Sequence, residues 1–307
     1  MHRKTPHPVL PSRRAFTLGA SAGLLLSACA GARPPRPDPV AQLRTLERSA
    51  QGRLGAFVLD TATGRHFGWR ADERFCHCST FKLSLAAMAL RESDAGRLDL
   101  AEPLAIGRTD VVAYSPVVED NLAKGHLPIL ILAQAVQITS DNAAANILLR
   151  RLGGPDALTR FWRDIGDETS RLDGYEPAIN VIPPGTQENS TTPRAMAMTV
   201  QSLVVGDVLR PASRDLLRGW MAATQSGLDR IRAALPRNWQ GFDKTGTGMR
   251  PGIGNKVNDL AVLVPPDGGS PLIVTGYFEN PSFSEDVRPQ DEAVLKRLGE
   301  IAVAWRS

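Results

Sequence analysis

The chain has 307 residues, of which 42% are hydrophobic, 22% charged and 6% aromatic. That balance excludes disordered, collagen-like and transmembrane-bundle classes, and the length allows a full core without disulfides or metals as staples. The net charge of +4 comes from the first 28 residues, where Arg3, Lys4, Arg13 and Arg14 meet no acid; elsewhere basic and acidic residues balance at 32 each, leaving no basic patch for nucleic acid.

Residues 1–28 predict an export signal. Ser12-Arg13-Arg14-Ala15-Phe16-Thr17-Leu18 precedes the small, apolar run Gly19 to Ala28, which is too short and too rich in Ala and Gly to anchor a bilayer span. The paired arginines resemble a bacterial twin-arginine signal, with an ordinary Sec signal as the alternative. Leu26-Ser27-Ala28-Cys29 resembles a lipobox, in which Cys29 becomes a lipidated N-terminus; plain cleavage beside Ala28 or Ala30 is the alternative. The expectation is an exported, periplasmic protein, with a lipid anchor at Cys29 favoured. Residues 29–39 read as a tether, since Ala32 to Pro39 holds four prolines.

Val40 to Ala50 has helical spacing, and Leu54 to Leu59, Asp60-Thr61-Ala62-Thr63-Gly64 and Arg65 to Trp69 read as a β-hairpin. Cys76 and Cys78 lie two apart; on an extended segment they face opposite ways, so a mutual disulfide is geometrically poor and both are expected as small buried hydrophobes. His66, His77 and His126 lack ligand spacing, so no metal is expected. Segments 79–92, 127–138, 141–152, 155–165, 193–206 and 211–223 predict helices, several opened by Ser, Thr, Asp or Pro. Strands return at Gly241 to Thr247, Asp259 to Val264 and Leu272 to Phe278, followed by a helix near Asp291 to Trp305. The fold class is therefore α+β. One antiparallel sheet from both chain ends, flanked by helices (residues 40–70 with 223–307), packs on an all-helical domain (71–222), with a site in the crevice between them.

Three short motifs fall in that arrangement. Ser79-Thr80-Phe81-Lys82 opens a helix, where i and i+3 share a face and Lys82 can reach the Ser79 hydroxyl. Free N–H groups and the positive dipole end of a first turn suit a nucleophile whose attack makes an oxyanion. Ser140-Asp141-Asn142 begins another helix and alone would read as an N-cap. Lys244-Thr245-Gly246-Thr247-Gly248 ends a strand, where glycines let a substrate approach the backbone, and alone would read as a turn. The three in this order mark serine β-lactamases and penicillin-binding proteins.

From about residue 40 onward the chain resembles the class A β-lactamases. Arg171-Leu172-Asp173-Gly174-Tyr175-Glu176-Pro177-Ala178-Ile179-Asn180 resembles that family's Ω-loop, whose Glu and Asn position a hydrolytic water. Tyr114-Ser115-Pro116 resembles its aromatic cleft wall, and Gly153-Gly154-Pro155 and Thr191-Thr192-Pro193 resemble its helix junctions. Val257 falls where many members carry a substrate-carboxylate arginine, and Arg230 in Arg230-Ile231-Arg232 is the replacement. The resemblance implies a β-lactam substrate and no metal or organic cofactor; nothing calls for a second subunit. Ser79 would be the nucleophile, with Ser79 and Thr247 N–H groups as the oxyanion hole. Ser140, near Lys82 and Lys244, would relay a proton to the leaving nitrogen, while Glu176 and Asn180 would hold and deprotonate the deacylating water. Lys244, Thr245, Thr247 and Arg230 would grip the substrate carboxylate, and Asn142 its side-chain amide. Either Lys82 or Glu176 would start acylation.

Several departures stand out. Asn189 replaces the family's usual aspartate, so an Arg171–Asn189 contact without charge assistance predicts a looser loop that Asn189→Asp would tighten; the alternative is that Glu188 or another acid already pairs with Arg171, in which case the substitution does nothing useful. Met249 to Lys256 is unusual beside the third motif and borders the cleft. Cys78 resembles a cysteine that some carbapenem-hydrolysing members bridge across the site, but its partner position here is Gly248, so that disulfide is expected to be absent. The alternatives are a peptidoglycan D,D-peptidase, which would not need Glu176 with Asn180, and a β-lactam sensor that stays acylated.

Overall fold

A computed structural model describes residues 1–2, 37–183 and 186–306, and in it the two ends of the described chain build one sheet. The readings of Arg13, Arg14 and Cys29, and of the tether up to Arg36, lie outside the described residues. Helix α1 (Pro39–Ala50) starts at Asp38, whose side chain accepts from Val40 N at 3.0 Å. β1 (Arg53–Asp60) and β2 (His66–Trp69) form the hairpin. After a two-residue β3 (Phe75–Cys76) come α2 (Phe81–Asp94), β4 (Pro103–Ala105), α3 (Pro116–Asp120), β5 (His126–Pro128), α4 (Ile129–Ile138), α5 (Asn142–Arg151) and α6 (Gly154–Asp164). β6 (Ser190–Thr191), α7 (Pro193–Val204) and α8 (Pro211–Ala222) lead to β7 (Gln240–Arg250), β8 (Gly254–Val264), β9 (Leu272–Asn280) and α9 (Pro289–Arg306). The large sheet is antiparallel with order β2-β1-β9-β8-β7.

Both faces of this sheet are covered, which is why the alternation in β1 is only loose in the sequence. Phe57 and Leu59 point into the core shared with the helices, while Leu54, Ala56 and Val58 point into a second core under α1 and α9. Helix α2 is buried at every residue from Phe81 to Leu90, so it lacks a polar face and runs through the centre of the helical part. That burial is what places Lys82 away from water.

Two differences from the expectation matter for the site. The strands predicted at 241–247 and 259–264 run further, as a hairpin whose register continues to Arg250↔Gly254. The unusual segment Met249 to Lys256 thus holds the end of β7, the hairpin tip, where Gly252 takes φ +80°, and the start of β8. The cysteines also depart from the extended geometry. Cys76 ends β3, and Cys78, at φ +45°, enters a single 3-10 turn (Cys78–Thr80). The chain therefore bends between them, and the two buried thiols face each other with Sγ–Sγ 3.8 Å.

Candidate active site

Ser79 lies in the 3-10 turn that runs into α2, with Lys82 one turn on, its Nζ 3.0 Å from Ser79 Oγ. Lys82 also donates to Ser140 O at 2.8 Å, reaches Ser140 Oγ at 3.4 Å and donates to Asn142 Oδ1. Glu176 Oε1 is 3.0 Å from its Nζ, and both side chains are wholly buried. Burial lowers the Lys82 pKa from its ordinary value, and the Glu176 carboxylate opposes that shift. Ser79 Oγ donates to the same Glu176 Oε1 at 3.3 Å.

The second motif sits at the start of α5. Asp141 caps the helix, accepting from Ala144 N at 2.8 Å, as its plain reading has it. Its other oxygen accepts from Val117 N and Val118 N at 2.8 and 3.0 Å, which fixes α3 beside the cleft. Ser140 takes φ +62°, a conformation that costs a non-glycine residue on the order of 1–3 kcal/mol and is held here by the Lys82 bond to its carbonyl. Its hydroxyl lies between two ammonium groups, since Lys244 Nζ donates to it at 3.1 Å. Burial, together with the like charge of Lys82, pushes the Lys244 pKa down to about 7. Asn142 spends its amide on Lys82 and on Ala113 O, the latter at 2.7 Å, and so braces the segment that carries Tyr114. Tyr114 is 61% exposed on the surface of that segment.

The third motif lies on β7, and glycine lets it approach the nucleophile. A Cβ at Gly246 would fall 3.1 Å from Ser79 N and 2.7 Å from His77 O. Asn258 on β8 donates to Cys76 O and His77 O at 2.9 and 3.1 Å, setting the peptides just before Ser79. Thr245 Oγ1 is 2.6 Å from Ser226 Oγ. Arg230 is buried and already engaged: it bonds Glu292, Gly246 O and Asn258 O, and donates to Thr247 Oγ1 at 2.8 Å. Its charge thus bears on this strand through the Thr247 hydroxyl.

Glu176 is held as a backbone unit by a residue no motif singled out. Asn146 Nδ2 donates to Glu176 O and its Oδ1 accepts from Glu176 N, each at 2.9 Å. The available signal was position: Asn146 is one turn beyond Asn142 on α5, on the same face. Asn180 Nδ2 donates to Glu176 Oε2. The structure thus brings Ser79, Lys82, Ser140, Asn142, Glu176, Asn180 and Lys244 into one connected network, with Thr245, Thr247 and Arg230 along the neighbouring strand and Tyr114 exposed on the segment braced by Asn142.

The expected Arg171–Asn189 contact is corrected. Arg171 turns to Asp173, two residues on, with its Nε 3.0 Å from Oδ1. Asn189 closes the neck of the loop with Asp173 instead: its Oδ1 accepts from Asp173 N at 2.8 Å, and its own N–H donates to Asp173 Oδ2 at 2.7 Å. Asp173 supplies the charge that the sequence pattern assigned to residue 189, so Asn189 leaves no unpaired arginine.

A half-buried serine bonded to a buried lysine, beside a carboxylate that can take its proton, defines a serine hydrolase. A model of the β-lactamase enzyme family matches residues 38–305. A β-lactamase of Streptomyces lavendulae is 43% identical over 266 residues, covering 83% of this chain and 86% of that protein. Among solved structures, a class A β-lactamase of the last common ancestor of Gram-negative bacteria superposes with TM-score 0.82 at 44% identity, over 88% of this chain and 99% of the other. A β-lactamase from Burkholderia vietnamiensis gives TM-score 0.82 at 43% identity, over 88% and 97%. The chain belongs to the β-lactamase family: it is a class A serine β-lactamase, hydrolyses β-lactams and confers resistance to them. These relatives do not favour the peptidase or sensor alternatives.

With Asp173 already at the neck, Asn189→Asp places a second carboxylate in a buried position against the first. Thermal unfolding of this variant is expected to show a loss of about 3 kcal/mol or more, since a buried charge without its own partner costs more than an unsatisfied neutral group. A stabilised variant contradicts this account of the loop.

Proposed function

We propose the following division of labour for β-lactam hydrolysis. Ser79 Oγ attacks the lactam carbonyl carbon. The Lys82 ammonium donates to Ser79 and has no acceptor site, so the hydroxyl proton passes to Glu176, the carboxylate it already faces. The oxyanion forms between the N–H groups of Ser79 and Thr247, where one such donor is worth about 10²–10³ in rate. Ser140 gives its proton to the leaving nitrogen as the C–N bond breaks; the flanking lysines stabilise the alkoxide until the proton held by Glu176 passes to it through Lys82, which returns Glu176 to the carboxylate. A water held by Glu176 and Asn180 then attacks the ester and gives its proton to Glu176, and Ser79 leaves with a proton returned through the same network. Lys244, Thr245 and Thr247, with Arg230 behind Thr247, receive the substrate carboxylate; Asn142 receives the side-chain amide, and Tyr114 forms the cleft wall. No step in this scheme uses a metal or an organic cofactor, and none of the residues it names calls for a second subunit. The observation that carries the scheme is that Glu176 Oε1 lies 3.3 Å from Ser79 Oγ while Oε2 is held by Asn180.

Mass spectrometry against time with a chromogenic cephalosporin tests it. Glu176→Ala removes the carboxylate that opposes the burial shift of Lys82, so the lysine as amine takes the Ser79 proton. The acyl-enzyme is then expected to form and accumulate, whereas Ser79→Ala is expected to form no adduct. Hydrolysis by Glu176→Ala at the wild-type rate contradicts the water assignment.

The Lys244 pKa, lowered to about 7 by burial, gives a signed pH dependence. Lys244 is cationic below about pH 7 and loses its charge as pH rises, so kcat/KM, which reports the free enzyme, is expected to fall above about pH 7. A bound carboxylate stabilises the ammonium, so the kcat limb lies at higher pH. Lys244→Arg, which stays charged, is expected to flatten the kcat/KM limb. A wild-type kcat/KM that stays flat well above pH 7 contradicts it.

We also propose that residues 1–28 direct export to the periplasm by the twin-arginine route and that Cys29 carries a lipid. Support comes from Arg13-Arg14 and from Leu26-Ser27-Ala28-Cys29. Arg13→Lys with Arg14→Lys is expected to block export, and Cys29→Ala to release the enzyme from membranes. Unchanged periplasmic activity in the first variant, or a wild type already soluble, contradicts the respective half.

A further inference from the structure

The loop that carries Glu176 and Asn180 is also held from the far side by a lysine that none of the motifs contains. Lys256 lies on β8 in the extended part of the hairpin, paired across the sheet with Gly248 on one side and Glu279 on the other. Residues paired in an antiparallel sheet share a face. At Gly248 that face carries no side chain, and a Cβ there would fall 3.1 Å from Asn180 O and 3.0 Å from Cys78 Sγ. Lys256 is almost fully buried, and its Nζ donates to Ile182 O and reaches Asn180 O at 3.5 Å.

No carboxylate among the described residues forms an ion pair with this ammonium. Its cross-strand neighbour Glu279 directs Oε2 to Arg53 Nε at 2.9 Å, while Glu279 Oε1 has no hydrogen-bond partner. A buried cation held on carbonyl groups is a poor contribution to stability, because its desolvation offsets what its bonds return. Its position on the loop is a different matter. Next to it, Cys76 Sγ donates to Ile179 O at 3.3 Å, and Cys78 Sγ donates to Cys76. The other side-chain ties to this loop's backbone from outside it are neutral, as Asn146 on Glu176 and Thr159 on Leu172, and Asn189 and Arg171 bond Asp173 within it; Lys82 meets only the Glu176 side chain. Lys256 is the one cation from outside residues 171–189 that bonds their backbone, among the described residues.

We propose that Lys256 is a positioning residue for deacylation: its ammonium holds the carbonyls of Asn180 and Ile182 and so keeps the Asn180 amide and the Glu176 carboxylate on the hydrolytic water. Its ammonium bonds only the backbone carbonyls of Asn180 and Ile182 and acts through them. The proposal rests on the assignment of that water to Glu176 and Asn180. Acylation draws on Ser79, Lys82, Ser140, the oxyanion donors and Glu176 Oε1, and Glu176 is held directly by Lys82 and Asn146; deacylation needs in addition the Asn180 amide on the water, which depends on the loop backbone at 180–182. The two half-reactions therefore respond differently to loss of this lysine.

The test compares Lys256→Met, Lys256→Arg and Glu176→Ala in single-turnover kinetics with a chromogenic cephalosporin, with the acyl-enzyme followed by mass spectrometry. Lys256→Met is expected to acylate within about twofold of wild type and to deacylate more slowly by a factor on the order of ten, as loss of one charge-assisted bond implies. Lys256→Arg, which keeps the charge, is expected to recover most of the deacylation rate. The thermal midpoint of Lys256→Met is expected not to fall, since an apolar side chain replaces a buried unpaired charge. Wild-type deacylation in Lys256→Met, while Glu176→Ala stalls, overturns the proposal alone. Wild-type deacylation in Glu176→Ala overturns the water assignment and the proposal with it. Equal losses in acylation and deacylation with a lowered midpoint show a merely structural lysine and also overturn it.

Discussion

The buried contact between Lys82 and Glu176 is the interaction on which the rest of the site depends. Each charge is wholly removed from water, and neither could remain ionised there alone. Removing one partner of such a pair typically costs about 3–5 kcal/mol, because the other is left buried and uncompensated. The pair joins two parts of the chain far apart in sequence: the first turn of α2, and a loop whose described residues form no regular structure except the short turn Ala178–Asn180. The other supports follow from that need. Asn146 fixes the Glu176 backbone, Asn142 and Ser140 O receive the remaining Lys82 donors, and Asn180 takes the second carboxylate oxygen.

The same buried charge shapes the other side of the cleft. Lys244 lies close enough to Lys82 for each ammonium to disfavour the other, and the Ser140 hydroxyl lies between them. A hydroxyl in that position is poised to lose a proton to a leaving group, since its alkoxide would face two positive charges. Behind β7, Arg230 adds a third positive charge one residue deeper, bonded to the hydroxyl of Thr247 and balanced by Glu292. The cleft therefore gathers positive charge where a substrate carboxylate arrives and carries a buried carboxylate, Glu176, where water must be activated.

Much of this was legible in the sequence because it rests on local periodicity. Ser79 and Lys82 meet because i and i+3 share a helical face. The two-ended sheet follows from the order of hairpin, helices and strands, with the registers of β7, β8 and β9 as found. What escaped was set by chain bends and long-range pairing. The facing thiols of Cys76 and Cys78 depend on the left-handed conformation at Cys78, which an extended spacing argument cannot anticipate. Arg171 was matched to Asn189 by pattern, whereas a carboxylate only two residues away satisfied it first. Asn146 and Asn258 are single amides with no motif around them, and their roles exist only once α5 and β8 lie beside the loop and the nucleophile turn. Lys256 was read as part of an unusual segment; the continued strand pairing across Gly248 turns it inward.

The central claim is that Lys82 rests as an ammonium because Glu176 is ionised beside it, leaving the carboxylate to accept the proton of Ser79. Nitrogen NMR of the Lys82 Nζ across a pH titration tests this directly, with Glu176→Gln as the comparison. The account predicts a charged Lys82 near neutral pH in the wild type and a lower pKa in the variant, where burial acts without the opposing carboxylate. A neutral Lys82 in the resting wild-type enzyme, or a titration unchanged by Glu176→Gln, would contradict it.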